Sequence, residues 1–324
     1  MAAADRQAMR VLTDDPLAAG TFVPGAAPEG WQQPILSPAH AALVEALGIP
    51  VVWSRDLPSL HPFWPTLVVR SHTQSSQFDA LTSLLGASAW QNEPVVAVAV
   101  TGRHFHGQRG RRWAAARGNL HVSVAVPAAL DAAHAGVGLS MLPCLATLDA
   151  IAEVTDGAIG PAVKWVNDVV IGGRKVGGVL TSAVTAGQRI EGIVWGIGIN
   201  VAVAPEILAT PFVPAATCLH AEPGGAHVTI ARLFRALLDA IARRYVDLAH
   251  GGAAALFPSY RERSLVIGRE VQVWEESACI EPDSAPSGPP AAEGIVADIG
   301  QDLSLRLEGR LAPVTKGRLA LRSL

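Results

Sequence analysis

Val163–Gly178 reads VKWVNDVVIGGRKVGG. Two short β-branched runs, Val163–Trp165 and Val169–Ile171, come before a third that opens at Lys175 and continues to Ala183. Gly172-Gly173 separates the last two runs. A two-residue hairpin loop of this kind needs positive φ at both positions, which glycine adopts without steric cost. The stretch therefore predicts antiparallel strands, with Lys164, Asn167, Asp168 and Lys175 at their ends.

The flanking sequence alternates between strand and helix signals. Upstream, Leu67–Arg70 reads as a strand and Gln77–Leu85 as a helix. Pro94–Thr101 (PVVAVAVT) is a dense apolar run of strand length, and Asn119–Val126 (NLHVSVAV) alternates strictly. Ala128–Val154 is long, apolar and Ala-rich, and predicts one buried helix. Downstream, Ile190–Val201 reads as another buried strand. Ile230, Phe234, Leu237, Leu238, Ile241 and Tyr245 recur at helical spacing over Thr229–Leu248, with Thr229 as N-cap and Gly251-Gly252 as the stop. After Pro258, five short runs punctuated by glycines (Gly268–Glu275, Gly294–Ile299, Leu303–Leu307, Leu311–Val314, Arg318–Leu321) predict a small barrel. A Pro/Ser-rich loop at 281–293 interrupts it and is expected to be mobile. Residues 1–60, rich in Ala, Pro and Gly, contain one short helical stretch at Pro38–Leu47 and read as an extension packed on the body.

The composition narrows the function classes. The chain has 324 residues, about two domains' worth. Half of it is apolar and only 16% is charged, so a largely disordered chain is excluded. The net charge of −3 argues against a generally basic nucleic-acid binder. No uninterrupted apolar run reaches the ~18 residues of a membrane span. The N-terminus has no apolar signal core. Cys144, Cys218 and Cys279 are far apart and form no CxxC, which makes a disulfide framework or cysteine zinc site unexpected and a cytoplasmic location the default.

Four clusters can carry chemistry. Gly102–Trp113 (GRHFHGQRGRRW) holds Arg103, Arg109, Arg111 and Arg112 with Gly102, Gly107 and Gly110, directly after a strand. Glycines free the backbone, arginines offer forked donors to phosphate or carboxylate, and Trp113 can stack on a planar base. The same residues also read as an exposed basic loop or an RNA-contacting one, and His104 with His106 lacks a third metal ligand nearby. In Lys164–Asp168 (KWVND), Asp168 can hold Mg²⁺ or a ribose hydroxyl, and Asn167 a phosphate or base; a plain Asn-Asp turn is the alternative. Lys175, in Lys175-Val176-Gly177-Gly178, neutralises a phosphate if it points inward and is a solvated edge charge if it points outward. Gly196-Ile197-Gly198-Ile199-Asn200 thins an apolar strand for the close approach of a ligand or of another element, and a buried Asn200 needs a partner.

The order and spacing of these motifs resemble the biotin protein ligases. The resemblance rests on Gly110-Arg111-Arg112-Trp113, Gly118-Asn119-Leu120, Lys164-Trp165-Val166-Asn167-Asp168, Lys175-Val176-Gly177-Gly178 and Gly196-Ile197-Gly198-Ile199-Asn200. The tail GIVADIGQDLSLRLEGRLAPVTKGRLAL is similar to the family's SH3-like domain. The resemblance implies an α+β fold: an N-terminal extension at 1–60, a mixed-sheet catalytic domain at 61–257 and an SH3-like β-barrel at 262–324. It implies that biotin and ATP form biotinyl-5′-AMP and pyrophosphate, with Mg²⁺, and that a lysine of a biotin carboxyl carrier domain then receives the biotinyl group.

The same resemblance implies the residue roles. Lys175 would act electrostatically on phosphate and carboxylate oxygens, and Arg103 and Arg109 would share the role of the family's second loop arginine, whose place falls on Gln108. Asn167 and Asp168 would lie near the adenylate, Asp168 doubling as the Mg²⁺ ligand. Trp113 would cover the adenine, and the Gly/Arg loop would close to exclude water. Lys164, Trp165, Gly177, Gly178 and Asn200 would complete the nucleotide site. Ser75-Ser76-Gln77 would receive the ureido ring, and Gly196 and Gly198 would leave room for backbone beside the ligand. The loop departs from the family pattern by an apparent insertion, His104-Phe105-His106. Residues 1–60 do not resemble the DNA-binding helix-turn-helix of the repressor members, so no DNA partner and no membrane partner are expected; a homodimer through a sheet edge is compatible. The competing readings are a lipoate or octanoate protein ligase of the same fold and a non-catalytic nucleic-acid or small-molecule binding homologue.

Overall fold

The computed structural model describes residues 8–86, 93–278 and 286–322. Cys279 and part of the Pro/Ser-rich stretch lie outside them. In chain order the elements are β1 (Ala8–Thr13), α1 (Pro16–Ala19), α2 (Pro38–Ala46), β2 (Trp53–Pro58), β3 (Thr66–Arg70), α3 (Gln77–Leu85), β4 (Val95–Ala99), β5 (Leu120–Asp131), α4 (Ala132–Ala135) and α5 (Gly138–Val154). There follow β6 (Ala162–Lys164), β7 (Asp168–Ile171), β8 (Arg174–Ala186), β9 (Arg189–Ile199), α6 (Ile230–Glu262), β10 (Glu270–Trp274), β11 (Ala292–Ile299), β12 (Leu305–Leu307) and β13 (Arg318–Leu321).

A nine-stranded mixed sheet runs in the order β2-β1-β3-β4-β5-β9-β8-β7-β6. Only β1/β3 and β3/β4 pair in parallel. Because side chains alternate along a strand, each strand supplies both faces. Val122, Val124 and Val126 of β5 and Ile193, Trp195 and Ile197 of β9 join the core beneath α5 and α6. On the opposite face, Ala125 and Val194 pack with Leu43 of α2 and Leu81 and Leu84 of α3. That second face is only partly covered, and where α3 stops the sheet is open.

The Gly172-Gly173 turn forms as expected, with φ of 53° and 76°, and joins β7 to β8. Thr229 caps α6, its side chain accepting from the Arg232 N–H. Four expectations need correction. Residues 8–60 are no appendage, because β1 inserts between β2 and β3 and both N-terminal strands belong to the sheet; β1's parallel partner is remote in sequence, which local periodicity does not reveal. Ala128–Val154 is not one helix. β5 continues to Asp131, which caps α4 by accepting from the His134 N–H, and Gly136 at φ 43° breaks the chain before α5. Gly252, at φ 63°, kinks α6 rather than ending it. The C-terminal unit is a four-stranded antiparallel sheet, β12-β11-β10-β13. The expected fifth strand contributes one bridge, Val314 to Leu305.

The loop between β6 and β7 is held from two sides, by the small unit and by α6. The indole N–H of Trp165 donates to the Leu303 carbonyl (2.7 Å). On the α6 side, the Tyr260 hydroxyl donates to the Val166 carbonyl (2.8 Å). Asn167 and Asp168 follow directly.

Candidate active site

On the open face, strand register places four residues in one row: His121 of β5, Gly198 of β9, Gly178 of β8 and Asp168 of β7. Glycines in the two middle strands make a low floor between a histidine wall and a carboxylate wall. The neighbouring row is Ser123, Gly196 and Leu180. A Cβ on Gly196 would meet the Phe78 ring at 3.0 Å, and one on Gly198 would stand 2.4 Å from Trp113 Cζ2. These glycines are needed so that α3 and the Gly/Arg loop can approach the sheet. Over the floor lies a cavity of about 500 Å³, also walled by the Pro205–Ala216 segment and by Arg318 of β13. Its size falls within the ~300–1,000 Å³ of small-molecule sites.

Lys175 points into this cavity because β8 is bulged. The register shifts between Val169 and Val170, so that Val170 faces Lys175 while Val169 faces Gly177. A bulge re-aims side chains, and here it brings Lys175 onto the face of Asp168: Nζ to Oδ1 is 2.5 Å. The backbone of Lys175 is clamped as well, its N–H donating to Ala215 O (2.9 Å) and its carbonyl accepting from the Thr217 N–H (2.8 Å).

The electrostatics around the pair are strongly cationic. Burial pushes the Asp168 carboxyl up, but Lys175, then Lys164 and Arg111, hold it below the usual carboxylate range. Burial lowers Lys164 to about 8, against the opposing pull of Asp168. Its ammonium donates to the Phe212 carbonyl and borders an adjoining smaller cavity. Arg318 stacks over the Phe212 ring at 3.8 Å. Several cations thus converge on one carboxylate, an arrangement that suits a polyanionic ligand.

The structure brings together Ser76, Gly107, Arg111, Trp113, Asn167 and Asp168 with Lys175, Gly178, Gly196, Gly198 and Asn200. Asn167 is fixed by donating to Val179 O (2.8 Å). Buried Asn200 finds its partners in Thr217 O and the Asn119 amide. Other expected site residues lie elsewhere. Arg103 and Arg109 are exposed, and Arg109 pairs with Glu276 of the small domain at 3.0 Å; the loop arginines that reach the cavity are Arg111 and Arg112. Trp165 docks the small domain, as described above. Gly177 sits against Gly198, where a Cβ would be 2.8 Å from the Gly198 carbonyl oxygen. Gly102 packs against Phe105 and Thr73, and Gly110 is a turn residue at φ 72°. Ser75 is exposed, while Gln77 is buried and donates to Val98 O (3.0 Å).

Sequence reasoning missed His121 and Arg318. His121 was legible in principle, since it alternates with the core residues Leu120 and Val122 and so faces away from that core. Arg318 carries no local signal, because its place depends on how the small domain docks.

Among the described residues, no three His, Cys, Asp or Glu side chains gather as a metal cluster. Asp168, the expected Mg²⁺ ligand, is already occupied by the Lys175 ammonium with further cations nearby. A dication placed there would be repelled, so these residues do not fit a protein-built Mg²⁺ site.

Comparisons with known proteins point to one family. Residues 71–200 match the pattern of the biotin/lipoate A/B protein ligase family. Over 260 residues the chain is 32% identical to the biotin–[acetyl-CoA-carboxylase] ligase of Mycobacterium tuberculosis, spanning 78% of this chain and 88% of that one. It is 29% identical to the ligase of that name from Paracoccus denitrificans, over 75% and 93% of the two chains. The fold matches a biotin protein ligase from Aquifex aeolicus solved with biotin and ATP, with a TM-score of 0.59 and 20% identity over 79% of this chain and 98% of that one. The chain belongs to the biotin protein ligase family.

Proposed function

We propose that this protein condenses biotin with ATP to biotinyl-5′-AMP and transfers the biotinyl group to a lysine of a biotin carboxyl carrier domain. In the first step a biotin carboxylate oxygen bonds to the α-phosphorus, and the bond from that phosphorus to the pyrophosphate oxygen breaks. In the second the lysine amine, losing a proton, bonds to the acyl carbon, and AMP leaves. The observation that carries the reading is the inward Lys175, held on Asp168 beside a glycine-floored cavity. Two anions must meet for the first step, and preorganised positive charge offsets their repulsion most strongly where charge accumulates. Lys175, with Arg111 nearby, serves that purpose. Asp168 orients the ammonium.

Trp113, over Gly198, walls the adenine. Ser76, which lines the cavity, supplies an acceptor for a ureido N–H group. The Gly/Arg loop shields the water-sensitive anhydride. Mg²⁺ belongs with the nucleotide phosphates, whose hard oxygens suit it. No helix is long and apolar enough to cross a membrane among the described residues; we place the reaction in the cytoplasm, and a homodimer along a sheet edge is part of the reading.

Incubation with biotin, ATP and a recombinant biotin carboxyl carrier domain tests it. Mass spectrometry is expected to show one biotinyl group on one lysine. Modification with lipoate in place of biotin would reassign the substrate, and an unmodified carrier domain would overturn the proposal.

A further inference from the structure

Two features have no place in the roles above: the inserted His104-Phe105-His106 and the buried His121. They touch each other. His121 is 2% exposed and stands on the cavity face, opposite Gly198. The Trp113 indole N–H donates to His121 Nδ1 (3.3 Å). His121 Nε2 lies 3.2 Å from the Ala116 carbonyl, which can only accept. Nε2 therefore carries the proton and Nδ1 is the acceptor, so one tautomer of a neutral imidazole satisfies both contacts. Phe105 packs on the imidazole with ring centroids 5.7 Å apart, and its carbonyl accepts the Trp113 backbone N–H (2.9 Å). Phe105, His121 and Trp113 thus close a triangle. Its outer edge is pinned where His106 Nε2 meets Asp79 of α3 at 2.8 Å.

We infer that His121 is a positioning residue for the adenylation site, holding the Trp113 indole against Gly198, and that the inserted tripeptide braces it through Phe105. The inference rests on the proposed role of Trp113 as the wall of the nucleotide site. Both imidazole nitrogens are committed, so His121 is not free to shuttle a proton to substrate. Burial keeps the ring neutral, lowering its pKa to about 4. A protonated Nδ1 would present a hydrogen to the indole N–H and push the two rings apart.

The test uses His121→Leu, His121→Gln, Trp113→Phe and the His121→Leu/Trp113→Phe double variant of the full chain. Its first readout is the ¹⁵N-indole spectrum of the ligand-free protein, with the Trp113 signal assigned by its loss in Trp113→Phe. We expect that signal to move and exchange faster with solvent in His121→Leu, and to stay near its wild-type position in His121→Gln, whose amide oxygen still accepts. The second readout is biotin-dependent ATP–pyrophosphate exchange. His121→Leu is expected to raise the KM for ATP about fivefold, the worth of one neutral hydrogen bond, with the KM for biotin unchanged. In the Trp113→Phe background the same change is expected to add nothing. An unmoved indole signal in His121→Leu, or an equal effect without Trp113, overturns the inference. If His121→Leu does not fold, Phe105→Ala takes its place in both readouts, with the same expected and contrary results. Wild-type protein that exchanges with no acid would defeat the functional reading alone, because the indole spectrum still decides the histidine–tryptophan pair.

Discussion

Asp168 Oδ1 and Lys175 Nζ lie 2.5 Å apart across a bulged β7–β8 pair. A regular ladder would have sent the lysine to the other face. The bulge therefore makes the charged centre, and the two residues should fail differently. Lys175→Ala is expected to lower the rate of adenylation by roughly 10²–10³, the scale for loss of a preorganised charge-stabilising donor. Asp168→Asn leaves neighbouring cations uncompensated in a partly buried site. It is expected to reduce unfolding free energy by about 3 kcal/mol as well as activity, since breaking one partner of such a pair strands the other. Urea titration of both variants separates the effects.

The loop arginines should divide by position. Arg111 lines the cavity, whereas Arg109 is exposed and paired with Glu276. An exposed ion pair contributes about 0–1 kcal/mol. Arg103→Ala and Arg109→Ala are therefore expected to keep exchange rates within about twofold of wild type. Arg111→Ala is expected to raise the KM for ATP by roughly tenfold or more, as befits a charge-assisted contact. Steady-state kinetics of the three variants checks this.

Gly198→Ala would place a methyl carbon 2.4 Å from Trp113 Cζ2. Overpacking costs about 1–3 kcal/mol where neighbours cannot yield. Here the indole must give up its hydrogen bond to His121 to move aside. The expected result is a melting temperature lowered by a few degrees together with a raised KM for ATP.

The titration of His121 sets a pH dependence of stability. Its folded value of about 4 lies below the ordinary 6.5. Between the two, the unfolded chain binds the extra proton, so stability rises with pH across this window and is lost as pH falls through it. The contribution is on the order of 3 kcal/mol. Denaturant titrations from pH 4.5 to 7.5 should show a shallower slope in His121→Gln than in wild type.

Trp165→Phe deletes the hydrogen bond to Leu303 O that fastens the small domain. The buried carbonyl is left unsatisfied, at a cost of about 1–3 kcal/mol. Calorimetry is expected to show a melting temperature lower by a few degrees, with the KM for biotin unchanged.

Much of this was legible in the residues. The Gly172-Gly173 hairpin, the Thr229 cap and the glycine-thinned β9 follow from local chemistry, and the ordered motifs around Lys164–Asp168 and Lys175–Gly178 carry the family resemblance. What escaped depends on long-range pairing. The insertion of β1 beside β3 needs a remote partner, and the inward turn of Lys175 needs a bulge that only register reveals. The cavity-lining Arg111 and Arg112 could not be told from Arg103 and Arg109 because the loop's path depends on contacts such as Phe105 with His121. Arg318 enters from a separate domain. Trp165 sits among cavity-lining residues, yet its indole faces the small domain, a division of labour that spacing does not encode.

The central claim is that Lys175, fixed by Asp168, drives formation of an acyl-adenylate from biotin. ATP–pyrophosphate exchange on the purified protein tests it most directly, with biotin, lipoate or no acid, in wild type and Lys175→Ala. The account predicts exchange that requires biotin and is lost in Lys175→Ala. Exchange that persists in Lys175→Ala, or that responds to lipoate and not to biotin, would contradict it.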